Sequence, residues 1–157
     1  MVRAIADDAK PIQCCVAAAY EHYIERMGKV PGPMLEDYPL RIRENEVYVM
    51  RGGSTVVAVL VLILEPDHFL LDNIAVHPSQ QGKGLGNKVM TFAENRALET
   101  GYSAVDLYTH EVMTENFAMY KKRGYVETER ATVKGYDRIY MRKLISTERI
   151  EKSPPIS

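Results

Sequence analysis

The run Gln81-Gly82-Lys83-Gly84-Leu85-Gly86 constrains this chain more than any other stretch. An apolar segment, Phe69–Val76, precedes it, and residues with helical periodicity follow from Leu85. Glycines at three alternate positions remove the Cβ atoms that would keep a ligand off the backbone. A helix that begins here directs its unpaired N–H groups and the positive end of its dipole into the turn. Strand, glycine turn and helix N-terminus together predict a binding site for a phosphate or pyrophosphate.

Spacing narrows the ligand. A P-loop requires Gly-x-x-x-x-Gly-Lys-Ser/Thr, and the chain has no such stretch. A dinucleotide turn requires Gly-x-Gly-x-x-Gly. Counted from Gly82, the third glycine position is Asn87, and the turn does not open the chain's first βαβ unit.

The rest of the chain reads as alternating blocks. Val2–Ile5 alternates and predicts a short strand. Ile12, Val16, Ala19, Tyr20, Tyr23, Ile24 and Met27 recur at helical spacing, with Asp7 and Asp8 as N-cap candidates and Gly28 ending the helix. Pro31–Pro33 is a rigid connection, and Met34–Arg43 is weakly helical with a break at Pro39. Glu46–Met50 and Thr55–Leu64 are β-rich and joined by a Gly52-Gly53 hairpin; Glu65–His68 then turns into Phe69–Val76. Beyond the glycine turn come a helix closed by Gly101, a strand at Ala104–Tyr108, a short helix at Asn116–Arg123 and a hairpin of Tyr125–Arg130 with Arg138–Leu144. Strands up to Val76 can pair antiparallel, and the helix after Gly86 supplies a parallel crossover. The expected result is a mixed sheet with helices on both faces.

At 157 residues the chain is expected to form one domain, 1–146, with a flexible C-terminal tail, 147–157. A formal net charge of -1 gives no general attraction to nucleic acid or to anionic membrane. Cys14 and Cys15 are neighbours and the only cysteines, too few for a disulfide framework or a thiolate metal site. The longest apolar stretch, Val56–Leu64, is far shorter than a membrane span. Together with a start that lacks a signal-type apolar core, this predicts a cytoplasmic protein.

Val76-His77-Pro78-Ser79-Gln80-Gln81-Gly82-Lys83-Gly84-Leu85-Gly86 closely resembles the acetyl-CoA signature of the GNAT superfamily of N-acetyltransferases. That signature is Gln/Arg-x-x-Gly-x-Gly/Ala after a strand ending in Val-x-Pro, and Gln81, Gly84 and Gly86 fill its defined positions. Tyr120-Lys121-Lys122-Arg123-Gly124-Tyr125 is similar to the family's Tyr-x-x-x-Gly-Phe/Tyr block, and the element order matches from Val2 to Leu144. The resemblance implies an α/β fold: a mostly antiparallel mixed sheet of about six or seven strands, flanked by helices and splayed around acetyl-CoA. It also implies transfer of acetyl from acetyl-CoA to a primary amine of a small molecule or peptide, in a ternary complex and without a metal.

Residue by residue, the resemblance implies a pyrophosphate cradle of backbone N–H groups from Gly82, Lys83, Gly84, Leu85 and Gly86, with the Lys83 side chain as an added charge. The pantetheine arm would pair with backbone near Ile74 and Val76, and the Val76 N–H would hold the developing oxyanion. Tyr120 is implied as the acid that protonates the leaving thiolate. His110 and Glu111 lie where the family often puts acid/base residues. For deprotonating the ammonium, Glu111 and Asp72 rank equally, beside a water chain. The family commonly has an asparagine seven residues before its tyrosine; here Met113 stands there, and Asn116, four before Tyr120, is either its replacement or a helix N-cap.

Lys121–Arg123 reads as a solvated helix end, or as a source of a contact from Lys122 or Arg123 to the CoA 3′-phosphate. Tyr20, Tyr23, Tyr38 and Tyr48, with Glu21, Glu25, Glu36, Asp37 and Glu44, are candidates to line an acceptor pocket, or form a plain amphipathic surface. A non-catalytic acyl-CoA sensor is the alternative; it would need the cradle but not Tyr120. Homodimerisation is common for such a fold.

Overall fold

The computed structural model describes residues 1–145; the expected tail, 147–157, lies outside them. Seven strands form one sheet: β1 (Val2–Arg3), β2 (Glu46–Gly52), β3 (Thr55–Leu64), β4 (Phe69–Val76), β5 (Ala104–His110), β6 (Val126–Val133) and β7 (Tyr136–Leu144). The helices are α1 (Ala9–Tyr20), α2 (Tyr23–Met27), α3 (Tyr38–Glu44), α4 (Leu85–Glu99) and α5 (Thr114–Lys122). Spatial order is β1-β2-β3-β4-β5-β7-β6, antiparallel everywhere except between β4 and β5. The mixed, mostly antiparallel sheet with helices on both faces is the architecture expected from the sequence.

Alternation along β3 builds two cores. Ala58, Leu60 and Leu62 join Phe69, Leu71, Val89, Met90 and Leu107 beneath α4 and α5. Val59 and Val61 join Ile12, Val16, Tyr38, Val47 and Ala75 beneath α1. A strand covered on both faces is apolar almost throughout, as Thr55–Leu64 is.

Four local expectations change. The first helix is interrupted at Glu21-His22: the ladder passes from Glu21 N–H donating to Ala17 O (2.9 Å) to Ile24 N–H donating to Glu21 O (3.1 Å), and this tightening lets both Tyr20 and Tyr23 enter the core. Pro39 starts a helix instead of breaking one. Asp37 caps α3 by accepting from Leu40 N–H (3.1 Å), and Pro39 sits in the first turn, where its missing N–H costs nothing. Strand β5 continues to His110, and α5 begins at Thr114 with Met113 at its cap, so Asn116 lies within the helix and is not its N-cap. The last hairpin closes through two residues, Lys134 (φ 53°) and Gly135 (φ 82°), both left-handed as a type I′ turn requires.

Strand β4 carries the irregularity that positions the site. Val61 pairs with Asn73, but Leu62 pairs with Leu71, leaving Asp72 as an extra residue. Phe69 and Leu71 therefore face the α4 core while Ala75 faces the α1 core. Strands β4 and β5 pair only at Leu70–Asp106 and Leu71–Leu107, whereas β5 pairs with β7 from Ala104 to His110. Past Leu71 the two strands diverge and a cleft opens.

Helix α4 is fixed to the C-terminal part of the sheet by one carboxylate. Glu94 accepts from Arg123 Nε (2.8 Å), Lys143 Nζ (2.9 Å) and the Tyr125 hydroxyl (3.0 Å). Burial alone would raise its pKa; the hydrogen bonds and charges of Arg123 and Lys143 outweigh this and hold it below the ordinary carboxylate value. Glu94→Gln should lower stability by about 3 kcal/mol at neutral pH, because two cations lose their counter-charge. A depressed folded pKa means that the gap between parent and variant is full above the unfolded pKa and closes as pH falls through the folded one. Urea unfolding at pH 7 and in acid checks both.

Candidate active site

The cleft begins with backbone that no strand uses. His77 N–H donates to Val57 O (2.8 Å), so by antiparallel alternation Ala75 and Asn73 also turn their backbone groups to β3. Ile74 and Val76 turn theirs the other way, into the gap left by β5. The Ile74 carbonyl accepts from the Tyr20 hydroxyl (2.9 Å), which also lies 3.0 Å from Asn73 Oδ1. Asn73 Nδ2 donates to the Tyr38 hydroxyl (3.0 Å), which donates to Pro33 O (2.6 Å). This buried network ties the splayed strand to the N-terminal helices. The N–H groups of Ile74 and Val76 face the cleft.

At one end the glycine turn walls a cavity of about 430 Å³ with Ile74, Val76, Gln81, Gly82, Gly84, Leu85 and Gly86. Gly82 (φ 80°) and Gly84 (φ 76°) hold left-handed conformations. The first bond of α4 runs from Lys88 N–H to Gly84 O (3.2 Å), so the N–H groups of Leu85, Gly86 and Asn87 have no intrahelical partner. A Cβ on Gly86 would meet nothing within 4 Å, so the space above it is open. Unpaired N–H groups, a helix N-terminus and free volume fit a pyrophosphate followed by an extended amide-bearing arm. The Lys83 side chain is exposed and is not part of this wall.

At the other end a smaller cavity of about 90 Å³ is lined by Asp72, Tyr108, His110 and Arg138, among others. The two cavities share Tyr20, Ile74, Asn116 and Tyr120. Tyr120 is 4% exposed and packs edge-on against Tyr125, with ring centroids 6.0 Å apart. Its hydroxyl makes no hydrogen bond among the described residues, yet no buried polar side-chain atom among them is sealed without a partner, so the hydroxyl opens to the junction. Burial pushes its pKa well above that of a free phenol. Asn116, one turn earlier, contacts Met113 Sδ through Nδ2 (3.8 Å), and Met113 itself is buried in the α1 core.

The structure separates the two base candidates. Asp72 lines the smaller cavity, accepts from the Tyr108 hydroxyl (3.0 Å), and has its pKa raised by burial. Glu111 lies outside both cavities and pairs with Arg130 (3.4 Å). His110, its neighbour, faces the cavity instead. Both of its ring nitrogens lie 3.2 Å from backbone N–H groups, Nδ1 from Val112 and Nε2 from Asp137. Burial lowers its pKa, and a protonated ring could accept from neither N–H. The signal for His110 was the period of two that carries β5 past Tyr108 on one face.

Other readings are also redistributed. Arg123 is bound to Glu94, Thr91 and Asn87, which makes it a structural residue. Tyr48 packs in the α4 core against Phe92, away from the cleft. Glu36 lines the smaller cavity but is paired with Arg41, while Glu21, Glu25 and Glu44 are exposed.

Residues 13–125 match the family model described as "Acetyltransferase (GNAT) family", and the chain belongs to that family. Among curated proteins none matches the sequence. Solved structures with the same fold include a putative GNAT-family acetyltransferase from Desulfovibrio desulfuricans (TM-score 0.74, 16% identity, covering 92% of this chain and 97% of that one). The PaiA N-acetyltransferase of Thermoplasma acidophilum in complex with coenzyme A gives 0.72 at 16% identity, covering 90% and 95%. The ribosomal-protein-S18-alanine N-acetyltransferase of Escherichia coli gives 0.71 at 16% identity, covering 92% of each chain. No helix among the described residues is long and apolar enough to cross a membrane.

The raised pKa of Asp72 has a consequence for stability. A carboxyl whose folded pKa exceeds its unfolded value favours the fold below the unfolded pKa and loses that contribution as pH rises through the folded one. Asp72→Asn removes the ionisation and should stabilise the protein at pH 7 by about 1 kcal/mol. The gain should vanish in acid, where Asp72 is protonated. Chemical denaturation at the two pH values reads the difference.

Proposed function

We propose that the protein transfers the acetyl group of acetyl-CoA to a primary amine of a small molecule, by direct attack in a ternary complex. The observation that carries this reading is the junction itself: a cavity suited to CoA and a small polar cavity meet at Ile74 and Tyr120.

Acetyl-CoA supplies a thioester, an acyl group already activated toward amines. The N–H groups from Gly82 to Gly86 hold the pyrophosphate, and Val76, which lines only the larger cavity, pairs with the arm. Ile74 lies at the shared wall, so its N–H, in place of that of Val76, is assigned to the acyl oxygen. Asn116 faces the same junction and is a second contact for the arm. Tyr120 keeps its proton at neutral pH because burial raises its pKa, and it delivers that proton to the departing sulfur. Asp72 accepts one hydrogen bond among the described residues and keeps capacity for the acceptor's ammonium. Water passing His110, held neutral, carries the ammonium proton away.

Two substitutions separate this reading from that of an acyl-CoA sensor. Tyr120→Phe should lower kcat by about 10²–10³-fold, with acetyl-CoA affinity and melting temperature nearly unchanged, since the hydroxyl makes no described protein contact. Gly86→Val should keep the fold, because its Cβ meets nothing, yet weaken acetyl-CoA at least about tenfold. Both are read by CoA release and calorimetry across a panel of amines. Tight acetyl-CoA binding with no turnover of any amine would favour the sensor.

A further inference from the structure

Two charged side chains of the smaller cavity, Asp72 and Arg138, form no ion pair among the described residues. The third, Glu36, is held by Arg41 through two bonds (2.9 and 3.2 Å). His110, paired with Arg138 across the β5–β7 ladder, is kept neutral by its surroundings. The free charges of the cavity are therefore one anion and one cation.

Both engage one ring, the carboxylate at its hydroxyl and the guanidinium over its face. The Tyr108 hydroxyl donates to Asp72 Oδ1 (3.0 Å), and the Arg138 guanidinium carbon lies 4.0 Å from the centroid of the same ring. They form no ion pair, and Arg138 favours the charged form of Asp72 only through space. Asp72 lines the smaller cavity with Ile74, which also lines the larger one, so it lies on the side of the junction. Arg138 is two residues from Tyr136, whose hydroxyl ties that end of β7 to Val30 O (2.6 Å). A ligand in this cavity can meet a carboxylate and a guanidinium at once.

We propose that the acceptor is a small free amino acid, its ammonium held at Asp72 and its carboxylate at Arg138. This deepens the acetyltransfer reading and rests on it. One cavity wall presents both a carboxylate and a guanidinium, which suits a ligand carrying an ammonium and a carboxylate close together. A polyamine would set a second cation against Arg138, and a peptide N-terminus brings no nearby carboxylate. Arginine also suits a carboxylate better than a point charge does, because its fork donates two parallel hydrogen bonds.

The step balances without a further reactant. A C–N bond forms and the C–S bond breaks. One ammonium proton leaves to water before attack. Tyr120 gives its proton to the sulfur and recovers one from the acylated nitrogen. The products are an N-acetylamino acid, the CoA thiol and one free proton.

The test pairs each of the common α-amino acids with its primary amide, which keeps the ammonium and removes the carboxylate charge. CoA release should favour the best amino acid over its amide by about 10–100-fold in kcat/KM, the scale of a charge-assisted hydrogen bond. Arg138→Gln should bring that ratio near one, and Arg138→Lys should restore part of it. A merely structural role for Arg138 would lower both substrates together and leave the ratio intact, which would overturn the proposal. Equal turnover of amide and acid by the parent protein would overturn it too. Calorimetry of amino acids added to the protein–CoA complex keeps the two readings apart. Turnover of plain amines with no binding of any amino acid overturns this inference alone. Absence of all turnover overturns the acetyltransfer reading, while Arg138-dependent binding of an amino acid would still support the site.

Discussion

A single extra residue in β4 governs the site. With Asp72 inserted opposite the step from Val61 to Leu62, the strand exchanges its faces halfway along. The first half fills the α4 core with Phe69 and Leu71; the second fills the α1 core with Ala75 and sends Asn73 to Tyr20 and Tyr38. Without the extra residue, Asn73 would point into the apolar core beneath α4, where an amide without partners is costly. The bulge also bends the strand away from β5 and so strips Ile74 and Val76 of a neighbour. Backbone groups left this way must be satisfied from elsewhere. Tyr20 takes the Ile74 carbonyl, and the N–H groups remain open to a ligand. The same event creates the cleft, its hydrogen-bonding wall and its carboxylate.

A cleft made by divergence needs walls that do not move. The glycine turn opens α4, and Tyr120 stands on α5, so the distance between the turn and Tyr120 depends on how these helices are held. Glu94 joins them from within: it lies on α4 and binds Arg123, directly after α5, together with Tyr125 and Lys143. The opposite wall is held by the chain Asn73, Tyr38 and Pro33. Both devices are polar, buried and fully paired, the condition under which polar networks specify one arrangement.

The glycine turn was legible in the sequence because its chemistry is local: glycines, a preceding strand and a following helix determine it within a few residues. Tyr120 was singled out by the resemblance of Tyr120-Lys121-Lys122-Arg123-Gly124-Tyr125 to the family's block. Boundaries failed where packing overrode periodicity, as at Glu21-His22, where bringing both Tyr20 and Tyr23 into the core interrupts the helix. The bulge at Asp72 could not be read from one strand's residues, since its register belongs to β3 as much as to β4. Glu111 and His110 were inseparable in one dimension; two more residues of β5 turn one to Arg130 and the other to the cavity. Arg138 drew no attention because its meaning lies in standing over Tyr108, thirty residues earlier in the chain.

The charge of Asp72 stands in a cavity whose wall is mostly apolar. A largely buried carboxylate with one neutral donor and cations only at a distance has its charged form disfavoured by burial. A fold selected only for stability would pair it, and Arg138 is near enough in the sheet to do so. Instead the guanidinium is stacked on the Tyr108 face while the carboxylate is held at its hydroxyl. Two opposite charges left without direct partners in one cavity favour a ligand that carries both complementary charges over one that carries a single charge. Tyr108 engages both groups, so its ring fixes where each charge stands relative to the cleft.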